Sequence, residues 1–82
     1  MTREEQRFIE AFNYLMDNKR LVLRRFCSDA GVNVGTFADF KRGDSNRHAK
    51  VEWFAELCRY GVSADWLLTG RGHMMQSQPK VK

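Results

Sequence analysis

The run Leu23-Arg24-Arg25-Phe26-Cys27-Ser28-Asp29-Ala30-Gly31-Val32-Asn33-Val34-Gly35-Thr36-Phe37-Ala38-Asp39-Phe40-Lys41-Arg42 decides how this chain folds. It predicts two helices joined by Gly31-Val32-Asn33. Phe26, Cys27 and Ala30 fall on one side of the first helix, expected over about Val22–Ala30. Arg24 and Arg25, near its start, face out. Gly31 ends it, because left-handed backbone costs a glycine least. Asn33 caps the second helix, expected over about Val34–Arg42, and Gly43 stops it. Phe37 and Phe40, three apart, turn inward. A connection this short sets two helices at a steep angle. The close approach needs a small side chain, supplied by Cys27, and an apolar plug after the glycine, supplied by Val32.

Outward from this pair the pattern stays helical. Toward the N-terminus, Thr2 and Glu5 form a T-x-x-E capping box that satisfies two orphan backbone donors. It opens a helix over about Arg3–Met16, with Phe8, Phe12, Leu15 and Met16 as its apolar stripe. Asp17-Asn18-Lys19-Arg20 reads as a turn. Toward the C-terminus, a helix is expected over about Arg47–Tyr60, capped by Ser45 or Asn46. Its inward stripe would be Val51, Phe54, Ala55 and Cys58, at i, i+3, i+4 and i+7. Trp53 lies off that stripe and is expected at the surface, for packing or a protein contact rather than base stacking. A last short helix, about Ala64–Leu68, takes Ser63 as cap and Gly70 as stop, with Trp66 and Leu67 or Leu68 packing back. The expected architecture is an all-α, compact five-helix bundle over residues 1–72, followed by a flexible tail over residues 73–82.

Composition narrows the function classes. An apolar fraction of 43% with 29% charged residues is a globular balance. No apolar run approaches the ~20 residues of a membrane span, and Met1-Thr2-Arg3-Glu4-Glu5 is no secretory leader. A cytoplasmic location is expected, with Cys27 and Cys58 as free thiols. The net charge of +4 is uneven: residues 1–18 carry −2, residues 19–50 carry +5 and residues 51–82 carry +1. A basic block centred on the helix pair suits a polyanion such as nucleic acid; charge alone fits a solvated basic face equally well. Cys27, Cys58, His48 and His73 have the spacing of neither a zinc finger nor a ribbon, so no metal or other cofactor is expected. Arg42-Gly43-Asp44 matches an adhesion tripeptide, but Gly43 is better read as a helix stop. No catalytic constellation is present, and the reading is of a non-enzyme.

Two stretches together, Gly31-Val32-Asn33-Val34-Gly35-Thr36-Phe37-Ala38-Asp39-Phe40-Lys41-Arg42-Gly43 and Gly61-Val62-Ser63-Ala64-Asp65-Trp66-Leu67-Leu68-Thr69-Gly70, resemble the Cro and phage-repressor (XRE-like) helix-turn-helix family. The resemblance covers about residues 5–72. It implies a lambda-repressor-like domain and a transcriptional regulator, a repressor by analogy, binding double-stranded DNA as a homodimer. Its third helix would lie in the major groove. The resemblance puts Asn33, Val34, Gly35, Thr36 and Asp39 at base-reading positions. Asn33 would bond a base edge or cap its helix, Thr36 a base or phosphate, and Asp39 cytosine N4, while Val34 would touch a thymine methyl. Phosphates would fall to Arg24, Arg25, Lys41, Arg42, Arg47 and Lys50 and to the amides opening the second and fourth helices. The chain departs from the family pattern at Leu23, where glutamine is common, and at Val22, where serine or threonine often caps. Val34 and Gly35 replace longer polar readers, so specificity would lean on DNA shape and on the loop around Asn46, Arg47 and His48. The alternative is a protein-interaction module on the same scaffold, with Trp53 and Met74–Met75 as anchors or dimer seam.

Overall fold

The computed structural model describes residues 1–43 and 48–76. Five helices order them: α1 (Arg3–Asp17), α2 (Leu23–Ala30), α3 (Val34–Lys41), α4 (Val51–Cys58) and α5 (Ala64–Thr69). Among the described residues there is no strand, only an isolated antiparallel bridge between Val62 and Met75, so the fold is an all-α bundle.

The helices begin and end largely where local chemistry places them. Glu5 N donates to Thr2 Oγ1 at 3.1 Å and Thr2 N donates to Glu5 Oε1 at 2.9 Å, closing the box on α1. Asn33 caps α3 and Ser63 caps α5. Gly31 ends α2 and Gly70 ends α5, both left-handed. Val22 occupies the N-cap of α2, with no side-chain cap bond, rather than its first turn. Arg42 is the C-cap of α3.

The core is aromatic. Phe8, Phe12, Phe26, Phe37 and Phe40 are all fully buried. Phe8 is the hub: its ring centroid lies 5.1–6.5 Å from those of Phe12, Phe26, Phe37, Phe40, Trp53 and Phe54. Most of these pairs meet edge to face, the geometry favoured by the ring quadrupole. α1 thus carries the surface on which α2, α3 and α4 converge. Arg7 Nε, donating to Leu67 O at 2.9 Å, ties α1 to α5.

Helix α4 corrects the sequence reading. It begins at Val51 behind the N-cap Lys50, not at Arg47; Ser45 and Asn46, the expected caps, lie outside the described residues. Its buried side is Trp53, Glu56 and Leu57. Trp53, expected at the surface, is buried against Phe8, Phe37 and Phe40. Val51, expected inside, is 81% exposed, Ala55 is exposed, and Phe54 and Cys58 are half-buried. Six of the eight residues of α4 are apolar, so two helical stripes compete. The stripe with the larger area to remove from water, Trp53 with Leu57, takes the core.

The chain also stays packed beyond Gly72. Ser63 N donates to Met74 O at 2.8 Å and Gln76 N to Gly61 O at 2.8 Å. Met74 and Met75 are half-buried against the core. Gly61 has φ +98°, and a Cβ there would meet Met75 Cε at 3.3 Å, so this glycine permits both the turn and the cover over it. Residues 74–76, expected in a flexible tail, are thus tied to the turn at residues 61–63, and residues 77–82 lie outside the described residues.

Glu5 does more than cap. Its Oε2 accepts from Ala49 N at 2.9 Å and lies 3.3 Å from His48 Nδ1. The carboxylate thereby joins the start of α1 to the segment leading into α4. Burial alone would raise its pKa, but the amides of Thr2 and Ala49 and the His48 ring outweigh it and hold the carboxyl below its ordinary value. A depressed carboxylate stabilises the fold above the unfolded-state pKa, and that contribution disappears as pH falls through the folded value. Glu5→Gln is expected to cost about 1.5–3 kcal/mol at pH 7, the range for hydrogen bonds to a charged group. Denaturant titrations of both proteins should show the gap fully open above about pH 5 and closing below about pH 4.

Candidate nucleic-acid interface

With Phe37 and Phe40 turned into the core, a step of 100° per residue puts Gly35, Ala38, Asp39 and Arg42 on the opposite ridge of α3. Gly35 and Arg42 are exposed, and Ala38 and Asp39 are partly so. Val34, 41% exposed, and Thr36, half-buried, sit on the flanks. The ridge is therefore smooth along most of its length.

Asn33 is committed to its own helix. Its Oδ1 accepts from Gly35 N at 2.7 Å and from Thr36 N at 3.3 Å. Of the two roles expected of it, base contact or cap, the cap is formed, through Oδ1. A Cβ at position 35 would lie 3.0 Å from that oxygen, so the glycine leaves room for the short cap bond. Asn33→Ala should cost about 1 kcal/mol by loss of the cap, read as a lower melting temperature.

The basic residues differ in how free they are. Arg24 and Arg25 are exposed in the first turn of α2. Arg24 makes no ion pair among the described residues. Arg25 Nε lies 3.3 Å from Asp29 Oδ2, a surface pair of small energetic weight. Lys41 is half-buried with its ammonium 4.9 Å from the Phe12 ring centroid, so a cation–π contact holds it at the core edge. Arg42 donates to the Asp39 carboxylate one turn back. Lys50 is exposed at the N-cap of α4. Arg47 lies outside the described residues.

Helix starts add a second pattern. Side chains cap α1, α3 and α5, whereas α2 and α4 have no side-chain cap bond. The first turn of α2 also contains no acid. Its orphan amides, the positive end of the helix dipole and two arginines coincide, an arrangement that favours an anion.

Away from α3, an apolar groove of about 510 Å³ runs between α4, α5 and the start of α1. Val51, Phe54, Ala55, Cys58, Leu67 and Leu68 line it, and Leu68 is 57% exposed. Sequence reasoning missed this surface because it assigned those α4 residues to the core. It also missed the Glu5–Ala49 tie, whose two partners are far apart in the chain. Burial pushes the thiols of Cys27 and Cys58 up, so both are protonated at neutral pH and pack as small apolar groups. Among the described residues no helix is long and apolar enough to cross a membrane. Comparison with family models, with curated proteins and with solved structures finds no match to this chain.

Proposed function

We propose that this protein is a sequence-selective double-stranded DNA-binding regulator of the lambda-repressor-like type, acting as a transcriptional repressor at the nucleoid. The observation that carries the reading is an outward, smooth α3 joined by a three-residue turn to α2, whose start is basic and uncapped. In this reading α3 enters the major groove. Thr36 and Val34 reach its edges, and the absent side chain at Gly35 lets the backbone come close. Arg24, Arg25 and Lys50, with the first-turn amides of α2 and α4, hold phosphates and set the register. Arg47 would join them.

The protein binds as a homodimer in this reading, through the α4–α5 groove. An isologous interface needs one patch that is both cleft and knob. Here the exposed Leu68 and Val51 are themselves part of the groove's lining, so cleft and knob share one surface. Leu68→Glu should convert dimer to monomer in sedimentation equilibrium while leaving the fold intact, since a 57% exposed side chain contributes little to the core.

The same groove favours a second reading, a protein-interaction module with no duplex contact. A binding selection from random duplex DNA at two salt concentrations separates the two. The regulator enriches a two-fold site and binds more weakly at higher salt. Failure to retain any duplex at low salt would overturn it.

A further inference from the structure

The ridge of α3 bears few groups able to report on a base. Gly35 and Ala38 reach nothing, which leaves Asp39 and Arg42, one turn apart. Arg42 Nη2 donates to Asp39 Oδ1. The two are unequally placed. The Asp39 side chain is 29% exposed, so it sits low against the helix, while the Arg42 side chain is 70% exposed and stands above it. The sequence reading separated them, giving Asp39 a cytosine amine and Arg42 a phosphate. Their pairing argues against that division, because it ties the placement of one group to that of the other.

We propose that the pair is one reading unit for guanine: Arg42 makes the base contact and Asp39 is the positioning residue that orients it. This rests on the duplex-binding reading above and names the base it selects. Guanine offers N7 and O6 in the major groove, two acceptors matched by parallel guanidinium N–H groups, whereas a carboxylate has nothing to donate to that edge. Arginine carries five N–H donors in a planar fork. One is engaged by Asp39, and a parallel pair remains. Fixing the plane in advance removes part of the entropy lost when a long side chain is ordered on binding. The Asp39 charge also offsets that of Arg42, so the unit gains little from phosphates in general. It contributes direction more than attraction, which raises the ratio of specific to non-specific binding.

The test uses the full chain and four proteins: wild type, Asp39→Ala, Arg42→Ala and the double variant. Each is titrated by fluorescence anisotropy against the duplex selected by wild type, against single-base replacements of its guanines, and against a scrambled duplex. Arg42→Ala should lose a guanine preference of about 5- to 150-fold at one position of each half-site. Asp39→Ala should lose most of the same preference yet bind the scrambled duplex more tightly, since a negative charge has left the interface. A residue that merely supports the helix would not move those two quantities in opposite directions. The double variant should be no less selective than Arg42→Ala alone. An unchanged guanine preference in Asp39→Ala would overturn the proposal. So would loss of a cytosine preference in Asp39→Ala with base preferences intact in Arg42→Ala. Wild-type binding without sequence preference would overturn it while leaving duplex binding standing. If wild type binds no duplex at all, the underlying reading falls too.

Discussion

Phe8→Ala is expected to remove a large part of the protein's stability. The ring is fully buried and touches six other aromatic rings contributed by α1, α2, α3 and α4. Truncating a buried phenylalanine removes its transfer free energy and leaves a cavity that the neighbours only partly fill, about 3–5 kcal/mol together. A chain of 82 residues has a total stability of roughly 4–12 kcal/mol at ~0.05–0.15 kcal/mol per residue. The loss thus runs from about a quarter of what holds the fold to all of it. Where the variant still folds, a fall in melting temperature of roughly 12–40 °C is expected, at ~4–8 °C per kcal/mol for a domain of this size. Helix α4 supplies the comparison. Trp53→Ala should cost about as much as Phe8→Ala, whereas Val51→Ala, at an 81% exposed site, should stay within about 0.5 kcal/mol of wild type. Had the Val51, Phe54, Ala55, Cys58 stripe formed the core, the order would be reversed. Calorimetry or a denaturant titration of the three variants decides it.

That contrast marks where the sequence is legible. Boundaries set by local chemistry could be read directly: the Thr2–Glu5 box, the Asn33 and Ser63 caps, and the left-handed stops at Gly31 and Gly70. Each involves residues at most three or four apart, within reach of pattern reasoning. The inward turn of Phe8, Phe12, Phe37 and Phe40 was readable for the same reason, because polar neighbours leave one apolar face. Helix α4 was not, since its composition supports two faces and only the depth of the pocket beside Phe8 and Phe37 chooses Trp53. The Glu5–Ala49 bond and the cover of Met75 over Gly61 were hidden differently. They join positions with no shared local pattern, and only the closed bundle brings them together. At the candidate interface, outward placement of Arg24 and Arg25 was legible from helical phase. The capture of Asn33 by its own helix, and of Lys41 by the Phe12 ring, depends on geometry that composition does not carry.

The start of α2 gives the sharpest functional expectation. Arg24→Ala combined with Arg25→Ala should lower affinity for every duplex alike and flatten its salt dependence. Each phosphate neutralised contributes about −0.9 to the slope of log K against log salt. Removing two contacts should therefore reduce the slope by about 1.8 and the affinity near 0.1 M salt by roughly 60-fold. Base preference should survive, because phosphate contacts set register and carry no sequence information of their own. Arg25 can take part despite its pairing with Asp29: at 3.3 Å and 77% side-chain exposure that ion pair is worth about 0–1 kcal/mol, and a phosphate can displace it. The fold should tolerate the change, since neither guanidinium packs in the core and exposed substitutions shift stability by about 0.5 kcal/mol or less. Arg71→Ala removes one unit of charge beyond the end of α5, outside the α2–α3 pair, and should leave slope and affinity nearly as they are. A general basic attraction would make all three arginines equivalent. An α2 dipole aimed at the backbone sets the first two apart from Arg71, because at the start of α2 unpaired amides and positive side chains address one phosphate together. Unchanged slopes in the double variant would remove α2 from the interface, and with it the orientation that presents α3 to the groove.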